Sequence, residues 1–348
     1  MADGRHLGAS DEPLARAYDL AMLDLDGVVY VGGKAISGVA DRLAAARGAG
    51  MRLAFITNNA SRPPGDVAEH LRDLGVQADE HDVVTSAQAA ARVLRDRFGA
   101  GAAVALLGGA GLDEALRAED LRPVPVGDES AQALVSGYGP DVLWRDIMRA
   151  AMLVRDGLPW VASNTDLTFP TQVGIAPGHG VLVGVLRDFA DVEPTVAGKP
   201  ERPLLDETIR RVGGRRPLMV GDRLDTDIDG AVNAGCDSLL VMTGVSTLAD
   251  LVAVPEGHRP TYVAADLSGL LEPQARPEQS PGEVDEVELG GWRACVADGR
   301  LEVRGDGAPN DWWRVVAVAG WAHLDASGEP ADTDGLGQPG PGSADSGR

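Results

Sequence analysis

Four short stretches of this chain gather residues able to do nucleophilic, acid–base or metal chemistry. Asp24 and Asp26 flank Leu25 at the end of the apolar run Tyr18–Leu25. Carboxylates at i and i+2 of an extended chain share a side. Such a pair repels itself unless a cation sits nearby, and a bound hard cation removes the conflict. A plain acidic turn after a strand explains the same letters without chemistry. Thr57-Asn58-Asn59 closes a second apolar run, Met51–Ile56, with hydroxyl, amide and N–H donors suited to a phosphate. Asn-rich turns also arise for purely conformational reasons. Lys199, in Ala197-Gly198-Lys199-Pro200, is one of only two lysines, Lys34 being the other, in a chain that otherwise uses arginine. An ammonium is a compact point charge that a guanidinium does not replace. By itself it reads equally well as a solvated loop cation. Finally, Gly221–Gly230 (GDRLDTDIDG) sets Asp222, Asp225, Asp227 and Asp229 within one short loop. Its DxDxDG portion matches the opening of an EF-hand calcium loop. The twelfth position of that loop, where a bidentate Glu is required, is Cys236, and a strand rather than a helix precedes it. The calcium-sensor reading therefore fails.

These stretches are punctuated by elements that would hold them. Strand-like runs at Tyr18–Leu25, Met51–Ile56, Ala102–Leu107, Ala133–Val135, Trp160–Ala162, Pro217–Val220 and Ser238–Met242 alternate with helical patterns. The helices are expected at Gly38–Gly48, Pro64–Leu74, Ala87–Arg97, Leu112–Ala118, Leu143–Asp156, Val181–Phe189, Pro203–Val212 and Ala231–Ala234. Strand, loop and helix in alternation are the signature of parallel βαβ units. In such sheets functional loops lie at the carboxyl ends of the strands, where all four stretches fall or nearly so. A new cycle of elements begins near residue 86, so the chain reads as one α/β domain interrupted by a second.

Composition narrows the function classes. The 348 residues carry 53 acidic against 31 basic side chains, a net charge of −22, which repels a nucleic-acid backbone. No apolar run reaches the roughly 20 residues that span a bilayer, and the first twenty residues lack the apolar core of a signal peptide. Two cysteines, Cys236 and Cys295, make no disulfide framework. The expectation is a cytoplasmic protein with no nucleic-acid or membrane partner. The glycine pattern around Gly180 and Gly184 is not a dinucleotide fingerprint, and no glycine loop carries a Walker lysine.

In combination the motifs say more. The order DLDGVVYVGG, ITNNASR, AGKP, VGDRLDTDI resembles the haloacid dehalogenase (HAD) superfamily of aspartate-nucleophile phosphatases over residues 18–270, with no motif broken. The closer match is to subclass IIA, whose members carry a C2-type cap inserted between the second and third motifs. Within it the pattern is most similar to bacterial glycerol 3-phosphate phosphatases. The resemblance implies an α/β fold, a Rossmann-like HAD core with a parallel sheet and an inserted α/β cap domain; the residues after 270 lie outside it, and their alternating apolar pattern predicts a small strand-rich C-terminal appendage. The resemblance also implies a Mg²⁺-dependent phosphomonoesterase, with Mn²⁺ as an alternative metal, acting on a small phosphorylated metabolite. Asp24 would be the nucleophile and Asp26 the acid/base, with Asp24, the Asp26 carbonyl and Asp222 on the metal and Asp227 behind them. Thr57, Asn58, Asn59 and Lys199 would hold the phosphoryl group, and Asn164 and Asp166 would be cap contacts to substrate. A phosphotransferase or mutase on the same nucleophile and a non-catalytic phosphate sensor remain as rival readings.

The expected domains are a discontinuous core at 13–85 and 185–270, a cap at 86–184, a linker at 271–283 and a strand-rich unit at 284–327. The ends, 1–12 and 328–348, read as disordered. Val315, Val316 and Val318 are counted among the alternating strand positions of the C-terminal unit, which holds four of the six tryptophans. That unit is free to rigidify a homodimer, cover the core or bind another protein.

Overall fold

A computed structural model describes residues 7–171, 174–280 and 286–339. The chain divides into two compact units, one from Met1–Val31, Ala35–Leu53 and Gly214–Arg348, the other from Gly32–Lys34 and Ala54–Gly213.

In the first unit the parallel strands run in the order Tyr262–Ala264, Asp237–Val241, Pro217–Gly221, Leu20–Leu23. Leu23 pairs with Val220, so Asp24 and Asp222 leave the carboxyl ends of neighbouring strands. These strands are almost entirely buried, which is why they read as continuous rather than alternating apolar runs. Next to Leu20–Leu23, the Arg52 N–H donates to the Asp19 carbonyl at 3.1 Å, starting the strand Arg52–Thr57.

The C-terminal part of this unit is an antiparallel sheet in the order Glu278–Ser280, Glu286–Leu289, Trp292–Ala297, Arg300–Gly305. A 19-residue helix, Pro309–Ser327, follows. It corrects the strand expected through Val315, Val316 and Val318: a short apolar run does not tell strand from buried helix by periodicity. The deciding signals are Pro309 at the first turn and Gly328, φ +78°, just past the end. The helix packs on the edge strand Tyr262–Ala264 and on Leu248–Val252. Trp312, Trp321, Val315 and Val316 share one core with Leu240, Leu251, Val252 and Val263. The Trp321 indole N–H donates to the Leu251 carbonyl at 2.7 Å, and the Arg259 guanidinium stacks 5.1 Å from its ring while pairing with Asp325. The appendage is thus an extension of the α/β core. Part of the expected linker, Glu278–Ser280, is a strand, and both expected disordered ends contain ordered residues. Leu7 and Ala331 are buried, Ser10 bridges Gln274, and Asp332 bridges Arg300. The remainder of those ends, 1–6 and 340–348, lies outside the described residues.

The second unit holds a five-stranded parallel sheet in the order Thr195–Val196, Trp160–Ala162, Ala133–Ser136, Ala103–Leu107, Arg122–Val124. An antiparallel pair, Thr168–Thr171 with Gly174–Pro177, lies between the strand Trp160–Ala162 and the helix His179–Ala190. Thr85 caps the helix Ser86–Phe98 and Gln88 closes the capping box from within. The expected division at 184 falls inside the helix His179–Ala190, and Thr195–Val196 joins the inserted sheet. Residues 54–85 and 185–213, expected with the core, group here because Val83–Thr85 and Pro203–Val212 pack with the helix Ser86–Phe98.

Replacing Trp321 by Ala removes a fully buried indole and leaves the Leu251 carbonyl without its donor, so the unfolding free energy should fall by about 3–5 kcal/mol. Urea denaturation followed by tryptophan fluorescence and circular dichroism measures it. A loss below about 1 kcal/mol would show that the helix is not part of the core.

Candidate active site

The acidic group in the first unit rests on a tight backbone arrangement. The Asp24 N–H donates to the Val220 carbonyl at 2.9 Å, which fixes the end of the first strand beside the loop that begins at Asp222. Ligand oxygens of Asp24, Asp222 and Asp227 all lie within 4.8 Å of one another. Asp222 and Asp227 are completely buried and Asp24 is half-buried. Three carboxylates at that spacing, two of them away from water, repel strongly unless a cation neutralises them. An all-oxygen donor set of this kind suits Mg²⁺, which binds through one or two carboxylates and retains waters.

The second half of this loop explains the geometry. Leu224–Ile228 forms a single π-helical turn, closed by the Ile228 N–H on the Arg223 carbonyl, a rare form that recurs at functional sites. It turns Asp227 back on its own strand, where Oδ2 accepts the N–H groups of both Asp222 and Arg223 at 3.1 Å. Asp222 Oδ2 accepts the Val245 N–H at 2.6 Å, and Thr243 donates to the Gly27 carbonyl. Gly27 sits at φ +85°, and a Cβ there or at Gly244 would collide with the Asp222 carboxylate. Both glycines are therefore required by close approach, and Gly27 by its backbone angle as well. Asp26 lies two residues beyond Asp24 with an exposed side chain outside the three-carboxylate group. Asp225 is exposed and paired with Arg223.

The other candidate residues lie in the second unit, around one side chain. Asn58 Oδ1 accepts the Lys199 N–H at 2.8 Å, while Asn58 Nδ2 donates to the Lys199 carbonyl and to Asp166 Oδ1, both at 3.0 Å. The Asn58 carbonyl accepts from Ser86 Oγ and from Asn164 Nδ2 at 2.7 Å. Asn164 Oδ1 in turn accepts the Asp166 N–H at 3.1 Å. Lys199 is buried, followed by a cis peptide to Pro200, and a Cβ at Gly198 would press on Asn58 Oδ1 at 2.6 Å. The Asn59 N–H donates to Thr57 Oγ1 at 3.1 Å, and Asn59 Oδ1 accepts from Ser61. The structure thus brings Thr57, Asn58, Asn59, Lys199, Asn164 and Asp166 together, with Asn58 as the clamp. Asn164, expected to face substrate, is buried with its amide on a main-chain carbonyl, and the Asp166 carboxylate is tied to Asn58.

Two family models match the chain: haloacid dehalogenase-like hydrolase at residues 21–122 and HAD-hydrolase-like at 196–270. The D-glycerol 3-phosphate phosphatase of Mycobacterium tuberculosis is 40% identical over 312 residues, covering 88% of this chain and 87% of the relative. The chain belongs to the haloacid dehalogenase-like hydrolases. A crystal structure of the Mycobacterium tuberculosis glycerol phosphate phosphatase in complex with magnesium superposes on this hydrolase with a TM-score of 0.80 at 38% identity, covering 89% of this chain and 92% of that one. The 4-nitrophenylphosphatase of Thermotoga maritima gives a TM-score of 0.68 at 28% identity, covering 74% of this chain but 98% of its own. The mycobacterial enzyme therefore shares length that the shorter phosphatase lacks.

Sequence reasoning missed the bracing residues of this HAD hydrolase. Thr243, Gly244 and Val245 carry no chemical signature, and Ser86 lies one residue before the helix expected at Ala87–Arg97. His179 is buried at the head of the helix His179–Ala190. Its Nε2 lies 3.2 Å from Ser136 Oγ, its Nδ1 has no hydrogen-bond partner among the described residues, and burial pushes its pKa down to about 4.

Two predictions follow from these contacts. Asn58 supplies one acceptor and two donors, a set that neither Ala nor Asp can reproduce. Asn58→Ala and Asn58→Asp should each cost about 2–4 kcal/mol in urea denaturation, and equal stability to wild type would refute the clamp. His179 stays neutral in the folded state, while the unfolded chain takes up its proton near the usual 6.5. Its contribution is therefore complete above pH 6.5 and is lost as pH falls towards about 4. The loss amounts to about 3 kcal/mol at most. His179→Asn should flatten that slope in a pH series of unfolding midpoints.

Proposed function

We propose that the protein is a Mg²⁺-dependent phosphomonoesterase that hydrolyses a small organic phosphate, with glycerol 3-phosphate the first choice. The observation that carries this reading is the Asp24–Asp222–Asp227 group, two of its carboxylates fully buried, at the ends of adjacent parallel strands. Similarity along nearly the whole chain to a D-glycerol 3-phosphate phosphatase supports the choice of substrate.

Asp24, Asp222 and the Asp26 carbonyl would hold the metal, with Asp227 behind them fixing the loop. When bound, Mg²⁺ offsets the negative charge of carboxylates and phosphate. The Asp24 carboxylate, ionised at neutral pH, attacks phosphorus in line and displaces the alkoxide, leaving an aspartyl-phosphate. Protonated Asp26 donates its proton to the leaving oxygen, so the alcohol departs neutral. As a carboxylate it then removes a proton from the water that hydrolyses the acyl phosphate, which restores both groups. Lys199 and Thr57, with the main-chain N–H groups of Asn58 and Asn59, neutralise and orient the phosphoryl oxygens. In a chain of net charge −22, one ammonium and one divalent cation provide the local positive charge an anionic substrate requires. The segment inserted from about residue 86 selects the leaving group, a proposal that includes Asp166 only through Asn58. The protein works in the cytoplasm on a soluble metabolite, without nucleic acid or membrane. Among the described residues no helix is long and apolar enough to cross a membrane.

Phosphate release from glycerol 3-phosphate, phosphoglycolate, pyridoxal phosphate, nucleoside monophosphates and sugar phosphates tests the reading. Release should require Mg²⁺ and stop with EDTA. Asp24→Asn should lower kcat by at least about 10³-fold and Asp26→Asn by about 10²–10⁴-fold. Folded protein that releases nothing from any ester with Mg²⁺ present would refute the hydrolase. Phosphate transferred to an added alcohol in preference to water would make it a phosphotransferase.

A further inference from the structure

In the first unit a loop outside all four sequence motifs lies against the carboxylate group. Thr243-Gly244-Val245-Ser246 connects the strand Asp237–Val241 to the helix Leu248–Val252. Both of its ends are anchored. Val241 pairs with Ala264 in the sheet, and Thr247 caps the helix in a capping box with Asp250. That helix rests on Pro309–Ser327, whose Trp321 indole donates to the Leu251 carbonyl.

From this footing the loop reaches Asp222, Leu224 and Gly27. The Val245 N–H donates to Asp222 Oδ2 at 2.6 Å, and the Ser246 N–H donates to the Asp222 carbonyl at 3.1 Å. Asp222 is thus held both at its carboxylate and at its main chain. Ser246 Oγ accepts the Leu224 N–H at 3.1 Å, which fixes the start of the π-helical turn that carries Asp227. Thr243 Oγ1 donates to the Gly27 carbonyl, while the Gly27 N–H donates to the Tyr30 carbonyl at 2.8 Å. The Asp26 carbonyl shares a planar peptide with that N–H, so its direction is fixed with it. The approach is close: a Cβ at Gly244 would lie 1.9 Å from Asp222 Oδ2 and 2.8 Å from Gly27 Cα. Loops make hydrogen bonds of this kind for stability alone. Here each of them ends on Asp222, on the residue after Asp26, or on the turn that carries Asp227.

We propose that Thr243 and Ser246 are positioning residues that set the affinity of the site for Mg²⁺. The inference rests on the reading of Asp24, Asp222 and the Asp26 carbonyl as the Mg²⁺ ligands. Mg²⁺ demands near-ideal octahedral geometry, so oxygens already held in place give up little freedom when it binds. The two hydroxyls tie the end of the first strand to the loop that follows its neighbour, and so fix the spacing of the Asp26 carbonyl and the Asp222 carboxylate. Groups that orient metal ligands in this way contribute to metal affinity without touching the ion.

Isothermal titration of Mg²⁺ into the metal-free full-length protein, without substrate, tests this. Wild type should bind, and Asp222→Asn should not. Thr243→Val keeps the shape of the side chain but removes the donor to Gly27, and should raise Kd about 10–100-fold. Ser246→Ala should raise it about 10-fold, whereas Thr243→Ser, which keeps the hydroxyl, should stay within about threefold of wild type. Tyr18→Phe removes hydrogen bonds to Asp237 and Tyr262 at the amino ends of the strands. It should lower the melting temperature and leave Kd unchanged. Thr243→Val and Ser246→Ala that both keep the wild-type Kd overturn the inference while leaving the Mg²⁺ site in place. A Tyr18→Phe protein that loses as much affinity overturns it too, since general loosening then explains the effect. Wild type that binds no Mg²⁺, or Asp222→Asn that binds as wild type does, overturns the metal reading and the inference together. Should Thr243→Val fail to fold, Ser246→Ala carries the comparison, with the Mg²⁺-induced rise in melting temperature as a second measure of affinity.

Discussion

The repulsion among Asp24, Asp222 and Asp227 is the constraint on which the first unit is organised. Putting three carboxylates within 4.8 Å of one another, two of them fully buried, is unfavourable unless hydrogen bonds and a cation compensate. The chain supplies the hydrogen bonds from its own backbone. Asp227 takes two N–H groups of its own loop and Asp222 takes one from Val245. The packing is close enough that Gly27 and Gly244 have no room for a methyl group. What the backbone leaves uncompensated is repulsion that a hard cation held by these carboxylate oxygens would offset.

Lys199 poses the complementary problem in the second unit. A buried ammonium on a loop is useful only if the loop is rigid, since a flexible lysine would turn towards water. Rigidity comes from a single amide, Asn58, which hydrogen-bonds the lysine's own N–H and carbonyl. Ser86 and Asn164 hold the backbone of Asn58 in turn, so four segments distant in sequence act as one. Network members of this kind are strongly coupled, because losing one leaves the others buried without partners.

The C-terminal extension shows how a sheet edge is managed. Tyr262–Ala264 would otherwise present unpaired main-chain groups and apolar side chains. The tryptophan-rich helix Pro309–Ser327 packs against it, and the antiparallel strands pack against the helix.

The linear chain determined much of this protein. Apolar runs fixed most strands and helices to within a few residues, because parallel strands buried on both faces leave a continuous signal. DLDG, TNN, Lys199 and GDRLDTD were legible because this chemistry requires particular residue types at strand ends. The tertiary structure decided the rest. Asn58 and Asn164 carry the same letters whether they bind substrate or clamp a loop, and only their partners, about 106–141 residues away, separate the two roles. Val315–Val318 carry apolar letters that suit strand or helix alike; Pro309 and Gly328 bracket the helix, and packing on Tyr262–Ala264 holds it. His179 likewise depended on burial that no single letter encodes. Local chemistry is written in the sequence, whereas the partner of each polar group is fixed only when the chain closes on itself.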